Sequence, residues 1–128
     1  MARILVVEDD PDILGLVRYH LGKAGHRVIA TESGEAALEI LDEKEPPDIA
    51  VLDVGLPGIS GRDLALRIRT DDRTSAVRIV FLTASIDPED IEAAKEISDA
   101  YLTKPFIASA LIATVQRLSQ VDIETEGW

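Results

Sequence analysis

The sequence predicts an α/β fold, a (βα)5 three-layer sandwich built on a five-stranded parallel sheet. Three observations support this. The runs Ile4–Val7, Ile49–Leu52 and Ile79–Leu82 are apolar and rich in β-branched residues, so they read as strands buried on both faces. Segments with helical spacing alternate with them, and right-handed crossovers then place helices over both faces of the sheet. A length of 128 residues suits one domain around one core.

Each element has its own signal. Ile4–Val7 opens the chain. Leu14, Val17, Leu21 and Ala24 share one helical stripe between a proline start at Pro11 and a glycine stop at Gly25. Arg27–Thr31 is a weaker strand. Ser33-Gly34-Glu35 opens a second helix carrying Ala37, Leu38 and Leu41, and Pro46-Pro47 ends that connection. After Ile49–Leu52 comes the loop Leu56-Pro57-Gly58-Ile59-Ser60-Gly61, whose glycines read as turn chemistry without phosphate-loop spacing. A third helix then runs from about Arg62 to Arg69. Beyond Ile79–Leu82, Asp87-Pro88 starts a fourth helix with its proline in the first turn. Ala100–Thr103 is a short last strand, and Leu111, Thr114, Val115 and Leu118 mark a closing helix. Gln120–Trp128 shows no clear pattern and reads as a C-terminal tail or linker stub, which gives a domain over 1–119 and a tail over 120–128.

Composition narrows the function. Acids outnumber bases, 24 to 13, for a formal net charge of −11, and phosphate recognition needs a basic footprint, so direct nucleic-acid binding is not expected. The absence of cysteine removes disulfides, thiolate metal sites and cysteine nucleophiles together. Nothing approaches a membrane span. The start, Met1-Ala2-Arg3, leads into too short an apolar run before Glu8-Asp9-Asp10 for a signal peptide. A cytoplasmic setting is the expectation.

In an open α/β sheet the binding crevice lies beyond the carboxyl ends of the strands. The first strand delivers Glu8-Asp9-Asp10 there, the third Asp53, the fourth Thr83 and the fifth Lys104-Pro105. Crowded carboxylates demand protonation or a cation. Oxygen donors without His or Cys favour magnesium, with manganese as the alternative, over zinc. An ammonium and a hydroxyl beside such a cluster describe a pocket for a phosphoryl group. A lone Glu8-Asp9 would be a turn and a lone Asp53 a helix cap; their joint placement at strand ends carries the functional reading.

These blocks resemble the receiver domain of two-component response regulators. The resemblance rests on Ile4-Leu5-Val6-Val7-Glu8-Asp9-Asp10, on Asp53 with Leu56-Pro57-Gly58 and Gly61, on Leu82-Thr83-Ala84, and on Tyr101-Leu102-Thr103-Lys104-Pro105-Phe106, and it runs from about Arg3 to Leu118. It implies a flavodoxin-like sheet in the order 2-1-3-4-5. It also implies that Asp53 is the phosphoacceptor, attacking a phosphohistidine on a sensor histidine kinase or histidine phosphotransfer protein. By the same resemblance Asp9 binds the metal directly and Glu8 through water, Asp53 and the Gly55 carbonyl complete the ligands, and Asp10 stands at a variable position outside the set. Lys104, Thr83 and the Ala84 amide hold the phosphoryl oxygens, Tyr101 reports closure through its rotamer, and the Lys104-Pro105 bond is cis.

The sequence departs from its relatives in places. Ile97-Ser98-Asp99 stands where Gly-Ala-Asp is frequent, so the turn after the fourth helix is expected to differ. Ile107 replaces a polar residue, and Ala110 stands where many DNA-binding relatives carry an acid, so their ion-paired dimer is not expected. His20 and His26 read as surface residues. Ile13 and Leu16 form a second apolar line on the first helix and are expected to stay exposed for a docking partner. A magnesium-dependent phosphatase is the enzymatic alternative, but such enzymes carry a second acid two residues on, where Gly55 stands. A degenerate receiver would lack part of the Glu8, Asp9, Asp53, Thr83 and Lys104 set. The expectation is therefore a signalling module, not an enzyme, that catalyses only its own magnesium-dependent phosphorylation and autodephosphorylation.

Overall fold

The computed structural model describes residues 1–84 and 87–126, with side chains as far as Ser119. Its strands are β1 (Arg3–Val7), β2 (Arg27–Thr31), β3 (Ile49–Asp53), β4 (Arg78–Thr83) and β5 (Ala100–Thr103), and its helices are α1 (Pro11–Lys23), α2 (Gly34–Glu43), α3 (Gly61–Thr70), α4 (Pro88–Ile97) and α5 (Ala108–Glu126). The strands form one parallel sheet in the order β2-β1-β3-β4-β5.

The period of two along each strand divides the core. Leu5, Val7, Ala50, Leu52, Ile79 and Phe81 face Ala37 and Leu41 of α2, Leu64 and Ile68 of α3 and Ala94 of α4. Ile4, Val6, Ile49, Val51, Val80 and Leu82 face Val17 and Leu21 of α1 and Leu111, Val115 and Leu118 of α5. β3, covered on both sides, is buried throughout. The edge strands β2 and β5 are only half-buried, which is why they tolerate Arg27, Thr31 and Tyr101.

Side chains capture the free amides at four helix starts: Asp10 for α1, Ser33 for α2, Ser60 for α3 and Asp87 for α4. Asp10 Oδ1 accepts from the Asp12 and Ile13 amides at 2.9 and 3.3 Å. Pro11 and Pro88 occupy first turns, where a missing N–H is harmless.

Some expectations are corrected. Ile13 is half-buried against the core, because it lies one turn before Val17 and so falls on the stripe facing the sheet. Leu16 is 50% exposed and Tyr19, three residues on, 59%. His26 is half-buried at the start of β2, its Nδ1 accepting from the Ala2 amide at 3.0 Å; burial pushes its pKa below the ordinary histidine value. Within the expected tail the backbone of 120–126 is helical, and 127–128 lie outside the described residues. With no Gly or Pro in 120–126, propagation adds one bond per residue to a helix already nucleated on the core.

The turn after α4 is held from outside. Arg69 donates through Nε to the Ile97 carbonyl at 3.2 Å and through Nη1 to the Ser75 and Val77 carbonyls. Its Nη2 lies 2.6 Å from Asp99 Oδ2, which also accepts from the Ile79 amide at 2.8 Å. One guanidinium thus ties α3, the start of β4 and the end of α4 together.

Candidate functional site

β1 and β3 are neighbours with Val7 opposite Leu52, so Glu8 and Asp53 emerge side by side at the carboxyl edge of the sheet. Glu8 is fully buried and Asp53 6% exposed, while Asp9 faces solvent. Carboxylate oxygens of Glu8, Asp9 and Asp53 lie within 4.8 Å of one another. β4 pairs with both β3 and β5, which brings Thr83 and Lys104 to the same edge. Lys104 Nζ is 2.6 Å from Glu8 Oε1 and 3.3 Å from Asp53 Oδ2. The Lys104 amide donates to the Thr83 carbonyl at 2.7 Å, and the Lys104–Pro105 peptide is cis. Each main acid has a backbone donor as well: the Asp10 amide to Glu8 Oε2 at 3.2 Å and the Gly55 amide to Asp53 Oδ1 at 3.0 Å.

Burial and charge divide the roles. Glu8, out of water and against Asp53, is pushed up to about 7, although Lys104 and the Asp10 amide pull it down. Burial alone would raise Asp53. Its hydrogen bond with Glu8, the Gly55 amide and the Lys104 charge hold it instead below the usual carboxylate range. Burial opposes the charge of Lys104, but Glu8 and Asp53 more than compensate and keep its pKa above the ordinary lysine value. Asp53 is therefore an ionised, held carboxylate at neutral pH, the form a nucleophile requires.

The remaining expected residues lie around this centre. Thr83 is 6% exposed at the end of β4, and Ala84 follows it at the surface. Gly55 lies exposed two residues after Asp53. Tyr101 is half-buried on β5, opposite Phe81 and packed against the α2–α4 side of the core, with Lys95 Nζ 5.8 Å from its ring centroid. Asp10, engaged in capping α1, is outside the acidic cluster. Leu16 stands exposed on α1, whereas Ile13 does not.

Two roles escaped the sequence reading. Gly61 opens α3 so close to the end of β3 that a Cβ there would meet the Asp53 carbonyl oxygen at 2.0 Å. It is a contact requirement, not turn chemistry. Glu35, in the first turn of α2, accepts from the Ile59 amide through Oε1 at 2.9 Å, across 24 residues of chain. A glycine in a loop signals neither close approach nor its partner, and no local pattern links Glu35 to Ile59.

Residues 4–116 match the family model of the response regulator receiver domain, and the chain belongs to that family. The chain is 39% identical over 117 residues to the transcriptional regulatory protein AfsQ1 of Streptomyces coelicolor, covering 91% of this chain and 50% of that protein. Against the protein PilH of Pseudomonas aeruginosa the identity is 31%, covering 90% and 95%. The chemotaxis response regulator CheY4 of Vibrio cholerae superposes with a TM-score of 0.85 at 28% identity, over 92% of this chain and 98% of that one. The BeF3-activated DrrB receiver domain gives 0.84 at 35%, over 94% and 98%. The chain spans about half the length of the transcriptional regulators it matches. Among the described residues no helix is long and apolar enough to cross a membrane.

Proposed function

We propose that Asp53 is the phosphoacceptor of this receiver domain and takes its phosphoryl group from a phosphohistidine on a sensor histidine kinase or histidine phosphotransfer protein. The observation that carries this reading is the convergence of Glu8, Asp9 and Asp53 with Lys104 at adjacent strand ends. An Asp53 carboxylate oxygen attacks phosphorus, the P–N bond breaks, its electrons return to the donor imidazole, and an acyl phosphate remains on Asp53. The donor set, three carboxylates within 4.8 Å without His or Cys, fits a hard divalent cation. Magnesium, or manganese in its place, would be held by Asp9, Asp53, the Gly55 carbonyl and, through water, Glu8, and when bound would neutralise charge developing on the phosphoryl oxygens.

The chain's own groups do the rest. Lys104, now shared between Glu8 and Asp53, turns its ammonium to a phosphoryl oxygen, and the Thr83 hydroxyl and Ala84 amide take another as the loop closes. Loss of its lysine contact raises the demand of Glu8 for a cation, which couples metal to phosphoryl. Thr83 and Tyr101, on neighbouring strands, carry the change toward α4, β5 and α5, where an output partner reads it. Exposed Leu16 on α1 belongs to the surface that receives the donor, with Ile13 supporting it from below. Residues 1–119 act as the signalling unit in a cytoplasmic setting. The module turns over no external substrate: it catalyses its own phosphorylation and autodephosphorylation. Incubation with acetyl phosphate and magnesium chloride tests the reading. Intact mass should show one added phosphoryl group, and none when a chelator is present from the start; an unchanged mass under both conditions refutes it.

A further inference from the structure

The β3–α3 loop has an anchor that belongs to neither flanking element. From Asp53 the chain passes through Val54 and Gly55, buries Leu56 in the core, and turns at Gly58, whose φ of +71° is left-handed. At that turn the loop meets the start of α2. The Ile59 amide donates to Glu35 Oε1 at 2.9 Å. Gly34 is buried there, and a Cβ on it would lie 2.9 Å from the Ile59 carbonyl oxygen and 3.0 Å from the Ile59 Cβ. The N-terminus of α2 is thus fitted against Ile59 by one hydrogen bond and one close main-chain approach. Immediately afterwards Ser60 caps α3 and the Gly61 amide returns to the Val54 carbonyl at 3.2 Å. The backbone that carries Gly55 is held at one end by β3 and at the other by Glu35.

We infer that Glu35 is a positioning residue for the phosphoacceptor site: its carboxylate fixes the loop tip through Ile59 and so sets the Gly55 carbonyl relative to the Asp53 carboxylate. This deepens the function proposed above and rests on it for the identity of the site. The role requires an acceptor atom, not a charge. Glu35→Gln keeps a carbonyl oxygen where Ile59 donates, while Glu35→Ala removes it.

The two variants and the parent are compared by amide exchange at Ile59, by magnesium titration followed through the Gly55 amide resonance, and by the rate of acetyl phosphate labelling at subsaturating magnesium. Glu35→Ala should speed Ile59 exchange, weaken magnesium about threefold to tenfold, the equivalent of one ordinary hydrogen bond, and slow labelling by a similar factor; Glu35→Gln should restore all three. The inference is overturned if Ile59 exchange is unchanged in Glu35→Ala, if exchange quickens while magnesium affinity stays at the parent value, or if Glu35→Gln is as impaired as Glu35→Ala, which would make the effect one of charge. Exchange and metal titration read the anchor without any phosphoryl transfer. A parent that binds magnesium in the expected Glu35-dependent way but never takes a phosphoryl group refutes the phosphoacceptor reading and leaves the anchor standing.

Discussion

Replacing Gly61 with alanine should damage the fold and the site in one step. The new Cβ would lie 2.0 Å from the Asp53 carbonyl oxygen, 2.7 Å from its carbonyl carbon and 2.9 Å from the Val54 Cα. All three are main-chain atoms, so no side-chain rotation relieves the collision. Reaching ordinary van der Waals distance requires α3 and the end of β3 to separate by about 1.5 Å. Overpacking of this kind costs about 1–3 kcal/mol, and the helix propensity regained by losing a glycine offsets less than about 1 kcal/mol of it. A net loss of about 2 kcal/mol corresponds to a melting temperature lower by roughly 6–10 °C for a domain of this size. The obstacle is the carbonyl of the proposed nucleophile itself, and a reacting group displaced by about 1 Å can lose about a hundredfold in rate. Gly15→Ala and Gly22→Ala are the controls. Both lie within α1 with nothing within 4 Å of an added Cβ, so each should stabilise by about 0.5–1 kcal/mol and leave labelling intact. Thermal unfolding followed by circular dichroism and the acetyl phosphate labelling rate make the comparison. A Gly61→Ala protein as stable and as fast as the parent would show that the close approach of α3 to the end of β3 sets neither stability nor the position of Asp53.

Three further expectations concern charge and partner. Glu8 titrates near 7 when folded, against an ordinary value of 4.5, so the folded state binds more protons between those values and metal-free stability should fall as pH rises through that window, by up to about 3 kcal/mol. The depressed Asp53 acts below this range. Glu8→Gln should flatten the profile, and an unchanged slope in urea titrations would remove Glu8 as its cause. Magnesium chloride at about ten times its dissociation constant should add about 1.4 kcal/mol, which sodium chloride at equal ionic strength should not. Asp53→Asn should gain less from magnesium than the parent, since it removes one of the carboxylates that would hold the ion; identical responses of the parent to the two salts would rule out the acidic metal site. Leu16→Glu should slow transfer from a phosphorylated histidine donor while sparing acetyl phosphate labelling, and equal loss in both assays would point to damage within α1.

The legible parts of this molecule were those whose signal is local. β1, β3 and β4 announce themselves because strands buried on both faces need apolar side chains in succession. Their ends locate the site, because a polar residue after such a run has nowhere to go but the sheet edge. The strand order required the resemblance, since alternation of strands and helices fits several orders. Contacts between distant segments were not legible. Arg69 meets Asp99 across 30 residues and Glu35 meets Ile59 across 24, and each of these four reads locally as ordinary. Ile13 was misplaced for a related reason: two apolar lines on one helix are distinguished only by which faces the sheet, and α1 turns Ile13 inward. The helical course of 120–126 was missed because apolar periodicity fades there while helix propagation does not.

The central claim is that Asp53 is the phosphoacceptor, and the most direct measurement locates the phosphoryl group. Parent protein and Asp53→Asn are incubated with acetyl phosphate and magnesium, weighed intact and then mapped by peptide mass spectrometry. One phosphoryl group is expected on the parent, on the peptide that contains Asp53, and none on the variant. A phosphoryl group on another residue of the parent, or equal occupancy on Asp53→Asn, would contradict the claim.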